Sequence, residues 1–523
     1  MKRNILAIFI LSLLLQSCFV DKGNYSYKEI NEVTIEGVEE FYRVEYPDGT
    51  LEISPIITST ESSANNDRYT YEWKAVGSVG NPVVEVLSTE RSVSGNIPLL
   101  PGTYTLYFKV TDKETGLVWK TSTSLNVATG TSRGFLLAGN DPQGYFRLDM
   151  VRMPASGDTI VSHDLLRNAN IPPFKDATGV MFTGGMANMN NSRFWVMGKN
   201  HSYYINRTTF LAEPGNVFRP LTFTLHNIPS HLTVADVAPR VSRIGGTAST
   251  TSYRAVSTQE GYVFYSTSIT MNGDVYGNPV NRTNANSEEY FKASPYLMYS
   301  LGYYRGLVVY DTDNDRFTFC SSFGTTCTVL SDKPTDLFPW NQGSNGRKLV
   351  YAENSRNTLN GASNGNSFAL MRDQQEQYHI YMINAAYLSS APNKTGYYLV
   401  DKTLAPGLDQ AVQNKLIAFA SFRTVMIYAS GNNLYYYDYN KGNERGGLLK
   451  SFDNTITMIQ FDIQTGNNGY RDLYVATRDG SGVGTLQKLV VGNDVNSVDY
   501  SVEENTTWTG LCSVVRMDWR NQE

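Results

Sequence analysis

The feature that most restricts the fold is a local unit that recurs beyond Gly134. Each copy is an apolar or aromatic run, a turn rich in Gly, Asn or Asp, and a second run in which tyrosine alternates with aliphatic residues. Clear copies are 134–150 around Asn140-Asp141-Pro142, 194–210 around Gly198-Lys199-Asn200, 307–319 around Asp313-Asn314-Asp315 and 425–439 around Gly431-Asn432-Asn433. Weaker copies are 262–275, 368–383 and 473–491. Alternation on both sides of a turn-forming cluster is a hairpin signal. Seven hairpins in succession, none able to bury its faces alone, suggest a β-propeller of seven blades; loop insertions blur the period enough to accommodate six or eight. Adjacent tyrosines point the same way: Tyr203-Tyr204, Tyr303-Tyr304, Tyr397-Tyr398 and Tyr435-Tyr436-Tyr437. Neighbouring strand residues face opposite sides, so these strands are covered on both faces, whereas a two-layer sandwich would expose one of each pair.

The stretch before this array reads differently. Short strands are expected at 32–36, 50–57, 69–76, 83–87, 103–111 and 118–127. Tyr69, Tyr71 and Trp73 share one face of an alternating strand, and Trp73 falls where an Ig-like sandwich buries a tryptophan. Pro101-Gly102-Thr103-Tyr104 opens a later strand in the manner of a tyrosine corner, whose hydroxyl caps nearby backbone. A Gly/Thr-rich junction follows at 129–134. Gly130 to Gly134 matches GxSxG, but Ser132 lies in a linker and leads into a strand, not into the helix a nucleophile elbow requires. The expected fold class is therefore all-β: a sandwich over 30–128, a linker over 129–134 and a propeller over 135–523.

The chain begins with Lys2 and Arg3, an apolar run over 5–15, and Leu15-Gln16-Ser17-Cys18. That run is too short to span a bilayer and has the length of a signal-peptide core. Leucine, a small residue and cysteine in this register form a lipoprotein cleavage site. Residues 1–17 are expected to be removed, Cys18 to become the acylated first residue, and 18–29 to form a tether. Each buried methylene contributes about 0.8 kcal/mol, so several acyl chains hold a protein on a membrane almost permanently.

Asp21-Lys22-Gly23-Asn24-Tyr25-Ser26-Tyr27, followed by Ile30-Asn31-Glu32-Val33-Thr34-Ile35, resembles the start of the PKD-like family of Gram-negative surface lipoproteins. The resemblance runs to about Val127. It implies a PKD/Ig-type sandwich followed by a larger β-rich region, and a setting beside SusC/SusD-like outer-membrane importers of glycans or peptides. It implies no catalytic residue.

Composition narrows the chemistry. Formal charge is −5, or −7 once the two basic residues of the signal are removed, and the mature part has no Lys/Arg-rich run, which argues against nucleic-acid binding. Of four cysteines, Cys320 and Cys327 flank a short turn; a disulfide and two unpaired strand thiols both fit that spacing. Cys512 sits in an apolar run and reads as a small buried hydrophobe. His163, His201, His226, His231 and His379 show no metal-ligand spacing, and P-loop and GxGxxG motifs are lacking, so neither a metal nor a cofactor is expected. Asp311, Asp313 and Asp315 suggest a calcium loop, but Arg316 stands where that loop needs glycine, which favours a plain turn.

Candidate binding residues are the loop aromatics Phe338 and Trp340, and Trp508, each in a Gly/Asn/Thr-rich stretch. Polar stretches at 283–289, 341–347 and 354–366 read as surface loops gathered at the propeller ends. The reading that follows is a non-catalytic lipoprotein, anchored in the outer membrane and displayed at the cell surface. It would bind a glycan or peptide, or dock onto importer subunits. A propeller hydrolase and a purely structural scaffold are the competing classes.

Overall fold

The computed structural model describes residues 30–46, 49–61, 68–77, 84–154, 158–182, 193–240, 254–266, 275–301, 306–321, 324–362, 364–385 and 391–521. Cys18, its signal and tether, and Tyr303-Tyr304 lie outside the described residues. The chain divides into two compact units between Ala128 and Thr129, and both are all-β.

In the first unit a five-stranded sheet runs in the order Phe41–Tyr46, Val118–Thr129, Gly102–Asp112, Tyr69–Gly77, Val84–Ser88. Two strand pairs, Val33–Glu36 with Ile56–Ser59 and Thr50–Ile53 with Val93–Asn96, complete the sandwich. Alternation decides its core. Trp73, Ala75, Leu106, Phe108 and Val110 are fully buried, while Thr105, Tyr107 and Lys109 between them face out. Trp73 stacks on Phe108 at 4.4 Å and donates its indole N–H to Arg91 O at 3.1 Å. The Tyr104 hydroxyl donates to Leu100 O at 2.8 Å, as expected of a tyrosine corner. Arg68 donates through Nε and Nη2 to the buried Asp112 Oδ2, and this bond, with the Glu114 and Thr115 amides, pulls the carboxyl down to about 2.

The second unit contains seven sheets among its described residues. The first pairs Ser513–Asn521, from the chain's end, with Arg133–Asn140, then Phe146–Arg152 and Ile160–Ser162. The second is Ala177–Phe182, Arg193–Gly198, Ser202–Asn206, and the third Val234–Ala238, Arg254–Thr258, Val263–Ser266. The fourth is Leu307–Asp311, Arg316–Cys320, Thr328–Val329, with Met298 bridged to Val308 along its inner edge. The fifth is Lys348–Asn354, Ser367–Arg372, Tyr378–Asn384, Asn393–Leu399. The sixth is Ile417–Phe419, Val425–Ser430, Asn433–Asp438, Arg445–Ser451. The seventh is Thr455–Phe461, Asp472–Arg478, Gly484–Val491, Tyr500–Ser501, with Thr507–Leu511 also paired to Gly484–Val491.

Side-chain parity then closes the ring. Phe135 and Leu137 pack with Tyr474 and Ala476 of the seventh sheet, whereas Leu136 and Ala138 pack with Val180 and Phe182 of the second. Met181 and Trp195 meet Val237 and Val256 of the third; Ala255 and Val263 meet Leu307 and Val309 of the fourth. Val308 and Tyr310 meet Ala369 and Met371, Phe368 and Leu370 meet Met426 and Tyr428, and Val425 and Ile427 meet Leu473 and Val475. Along these strands alternate residues thus pack on opposite neighbouring sheets, which is the propeller arrangement. The tyrosine pairs follow the rule: Tyr203 packs toward the first sheet and Tyr204 toward the third, and Tyr397 and Tyr398 divide likewise.

Three expectations change. The hairpin placed at 262–275 turns instead at Gln259-Glu260-Gly261, joining Arg254–Thr258 to Val263–Ser266. The first of these strands, Arg-Ala-Val-Ser-Thr, is buried throughout although half polar, so it shows no apolar run. The linker is shorter than 129–134, because Gly134 already pairs with Arg152. Its φ is +145° and a Cβ there would fall 2.2 Å from Val151 O, so this glycine is a close-packed strand residue, not a breaker. The polar segment 354–366 is only partly at the surface: 358–361 are exposed, but Ser355, Asn357 and Asn366 are buried. Asn357 Oδ1 accepts from Leu359 N and Asn366 Nδ2, and Asn354 Nδ2 donates to Leu297 O, so these amides satisfy irregular backbone that strands do not.

Trp73→Ala is expected to destabilise the first unit by about 3–5 kcal/mol through its cavity, and Tyr104→Phe by only ~1 kcal/mol through one lost hydrogen bond. Calorimetric unfolding of both variants checks this; equal losses would contradict the assignment.

Candidate functional site in the propeller channel

The strands at the inner edge of each sheet surround a common cavity of about 410 Å³. They are Ser513–Asn521, Ala177–Phe182, Val234–Ala238, Lys348–Asn354, Ile417–Phe419 and Thr455–Phe461, with the irregular segment 295–301 serving the fourth sheet. Consecutive residues of these strands, such as 351–354 and 457–461, line the cavity, because the edge of each sheet faces it.

Arg516 is the hub. Its Nη2 lies 3.4 Å from Asp236 Oδ1, a contact between residues 280 positions apart. Gly179 makes room for it: a Cβ there would sit 2.8 Å from Arg516 Cδ. Arg240 Nε pairs with the fully buried Asp518 at 3.3 Å, and Arg240 Nη2 donates to Met517 O at 3.3 Å. Asp518 Oδ2 also accepts from Phe182 N at 2.5 Å; burial nevertheless raises this carboxyl to about 6.

Glu353 faces the same cavity. Its Oε2 accepts from the Tyr351 hydroxyl at 2.7 Å and its Oε1 from Phe419 N. Desolvation outweighs both bonds and pushes Glu353 up to about 7. Tyr296 packs edge-on to Tyr351 at 5.7 Å, and the Lys415 ammonium stands 5.8 Å from the Tyr296 ring centre. Desolvation, and then the neighbouring Arg516 charge, lower the Lys415 pKa. The channel therefore holds cations, carboxyls and phenols from separate strands in one confined space, a setting suited to gripping a small polar ligand.

The aromatics singled out in the sequence lie elsewhere. Phe338 and Trp340 are 2% and 5% exposed, packed between the fourth and fifth sheets, with Phe338 stacked on Tyr381 at 3.9 Å. Asp332 fastens their loop, accepting from Asn341 N at 3.1 Å and Lys394 Nζ at 2.9 Å. Trp508 is 6% exposed, lies between the seventh and first sheets and donates to Thr159 Oγ1 at 2.8 Å. An exposed aromatic grip from these three residues is corrected accordingly: a Gly/Asn/Pro-rich loop does not guarantee exposure when neighbouring blades offer an apolar cleft.

Cys320 and Cys327 are free, buried thiols between the third and fourth sheets, and Cys320 Sγ lies 3.7 Å from both Ser321 O and Gly324 O. Cys512 is buried and free, its amide donating to Asp149 Oδ2 at 2.7 Å. Asp311 Oδ1 accepts from Asp313 N and Asn314 N and its Oδ2 from Arg316 Nε at 2.8 Å, which makes this stretch a plain turn. His379 is held between Asp373 at 2.9 Å and Tyr397 at 3.1 Å.

A model of the PKD-like family matches residues 18–170, less than half of the chain. No curated protein matches. Among solved structures, a quinonprotein alcohol dehydrogenase-like protein from Bacteroides thetaiotaomicron is 14% identical, covering 92% of this chain and 97% of that one at a TM-score of 0.45. The β-propeller domain of Myceliophteria thermophila Cps50 (Swd1) is 10% identical over 68% of this chain and 95% of its own, with a TM-score of 0.36. The WD40 domain of SCAP from fission yeast is 8% identical over 66% and 75%, at 0.28. At such identities and TM-scores these likenesses carry no activity or partner over to this chain.

Glu353 gives a test of the channel's electrostatics. Its folded pKa of about 7 exceeds the ordinary 4.5, so the native state keeps a proton that the unfolded chain releases. That contribution is complete below the unfolded value and is lost as pH rises through the folded one. Relative to Glu353→Gln, the parent should lose on the order of 2–3 kcal/mol of stability between about pH 4.5 and 7. Denaturant titrations across that range measure it, and a pH-independent difference would sink the assignment.

Proposed function

We propose that this chain is a lipid-anchored binding protein of an outer-membrane nutrient importer. In this reading Cys18 carries acyl chains, the sandwich acts as a spacer, and the propeller holds a glycan or peptide ligand or docks onto SusC/SusD-like subunits. Surface display follows from the same family setting, which the match beginning at residue 18 supports.

The observation that carries the reading is the channel: a closed ring brings charged and aromatic groups from distant strands around a cavity of about 410 Å³. Pockets of this order accommodate small ligands, and a rigid ring fixes their polar contacts before binding. Glu353, raised to about 7, favours one alternative, a hydrolase acting on glycans or peptides with Glu353 as the proton donor.

Pull-down from solubilised outer membrane, paired with a ligand and product screen, separates the classes. Binding without product supports the proposal. Product release abolished by Glu353→Gln supports the hydrolase, and importer co-purification without ligand binding supports the scaffold. Intact-mass analysis of the membrane fraction should find an acylated Cys18, and Cys18→Ser should release the protein to the soluble fraction; an unmodified, membrane-free parent would overturn the tether.

A further inference from the structure

We propose that the propeller channel binds a small organic carboxylate, held by the Lys415 ammonium and the Arg516 guanidinium beside the Tyr296 ring. The inference rests on the ligand-binding reading above and names the chemistry of its ligand.

Charge is the first reason. With Arg240 offset by Asp518, the cavity wall carries Lys415 and Arg516 against Asp236 and Glu353, within a chain whose formal charge is −5. The positive excess on the Lys415 and Arg516 side of the cavity favours anions within an otherwise acidic protein. Glu353 weakens this little, because burial keeps it partly protonated near neutrality. The groups facing it are the Tyr351 hydroxyl, the Phe419 amide, and the Arg240 and Arg516 charges.

Unused bonding capacity is the second. Arg240 is committed to Asp518 and Met517 O. Among the described residues the Arg516 guanidinium makes one polar contact, of 3.4 Å to Asp236, and its side chain remains 28% exposed, so most of its five donors are open to a ligand. The Lys415 ammonium makes no hydrogen bond or ion pair among the described residues and stands 5.8 Å from the Tyr296 ring centre. The Tyr296 hydroxyl is buried and has no hydrogen-bond partner among the described residues. A carboxylate offers two acceptor oxygens to such donors, and charge-assisted bonds of this kind are roughly twice as strong as neutral ones.

Backbone conformation is the third and is independent of charge. Lys415 ends the helix Leu408–Asn414 with φ 56° and ψ 33°, the left-handed position that glycine ordinarily fills. A lysine here costs on the order of 1 kcal/mol relative to glycine. The side chain that bears this strain lines the cavity.

Isothermal titration of the full chain with glucuronate and glutamate, alongside neutral glucose and glutamine, tests the inference. At least one acid should bind, its neutral counterpart at least about tenfold more weakly. Lys415→Gly should stay folded with an unchanged or higher Tm, yet lose at least about tenfold in affinity for that acid. Lys415→Met, which keeps the strain and removes the charge, should lose as much. Acid binding undiminished in both variants, or silence from all four compounds, would overturn the inference. Neutral compounds binding as tightly as the acids would overturn it while leaving the ligand-binding reading intact. A loss of all binding together with membrane attachment and importer association would instead strike that reading itself.

Discussion

The second unit depends on the pairing of Ser513–Asn521 with Arg133–Asn140, which joins the end of the propeller chain to its beginning. Phe135 lies opposite Trp519 and Leu137 opposite Met517, so the closing strand supplies apolar surface as well as hydrogen bonds. Each sheet has two apolar faces, and an open array would leave its first and last sheets half wet. Closure converts those two faces into one more interface. Buried polar groups reinforce it: Asp149 accepts from Cys512 N, and Asp518 from Phe182 N, across separations of more than 330 residues. Such long-range contacts form only after much chain entropy has been lost, so ring closure is expected to be a slow, late event.

The channel chemistry is a consequence of the same closure. Inner strands are pinned by their sheets, so the residues they present to the cavity have little freedom to avoid one another. Asp236 and Arg516, or Arg240 and Asp518, meet because the second, third and first sheets are adjacent in the ring. Confinement makes each charge sensitive to its partners. Glu353 and Asp518 rise toward neutrality although both accept hydrogen bonds, since removing a carboxylate from water costs more than two such bonds return.

Much of this architecture was legible in the amino-acid sequence, and the reason is period. Hairpins such as Val425–Ser430 with Asn433–Asp438 announce themselves through alternation around Gly431-Asn432, and tyrosine doublets betray strands buried on both faces. Trp73 and Tyr104 were readable because local strand context fixes where they point. The inner strands were not. Ile417–Phe419 is three residues long, and the inner edge of the fourth sheet is irregular, so neither leaves a periodic trace. Lys415 and Arg516 acquire meaning only when the ring sets them around one cavity. Phe338, Trp340 and Trp508 failed in the opposite sense, because composition marks a loop without saying whether a cleft lies beneath it.

A ring built this way separates stability from recognition. The apolar interfaces run from sheet to sheet along the strands, whereas the cavity lies along the inner strands, where polar groups such as Arg516 and Glu353 stand beside apolar ones such as Phe419 and Met458 that also pack between sheets. Arg516 illustrates the division: its neighbours Val514 and Met517 are buried in the interface with the seventh sheet, while Arg516 itself stays partly exposed over Gly179. Lys415 carries the logic furthest, since its backbone would be more comfortable as glycine. A position that works against its own stability, next to unsatisfied donors and inside a ring otherwise closely packed, is where a binding function is physically economical to place.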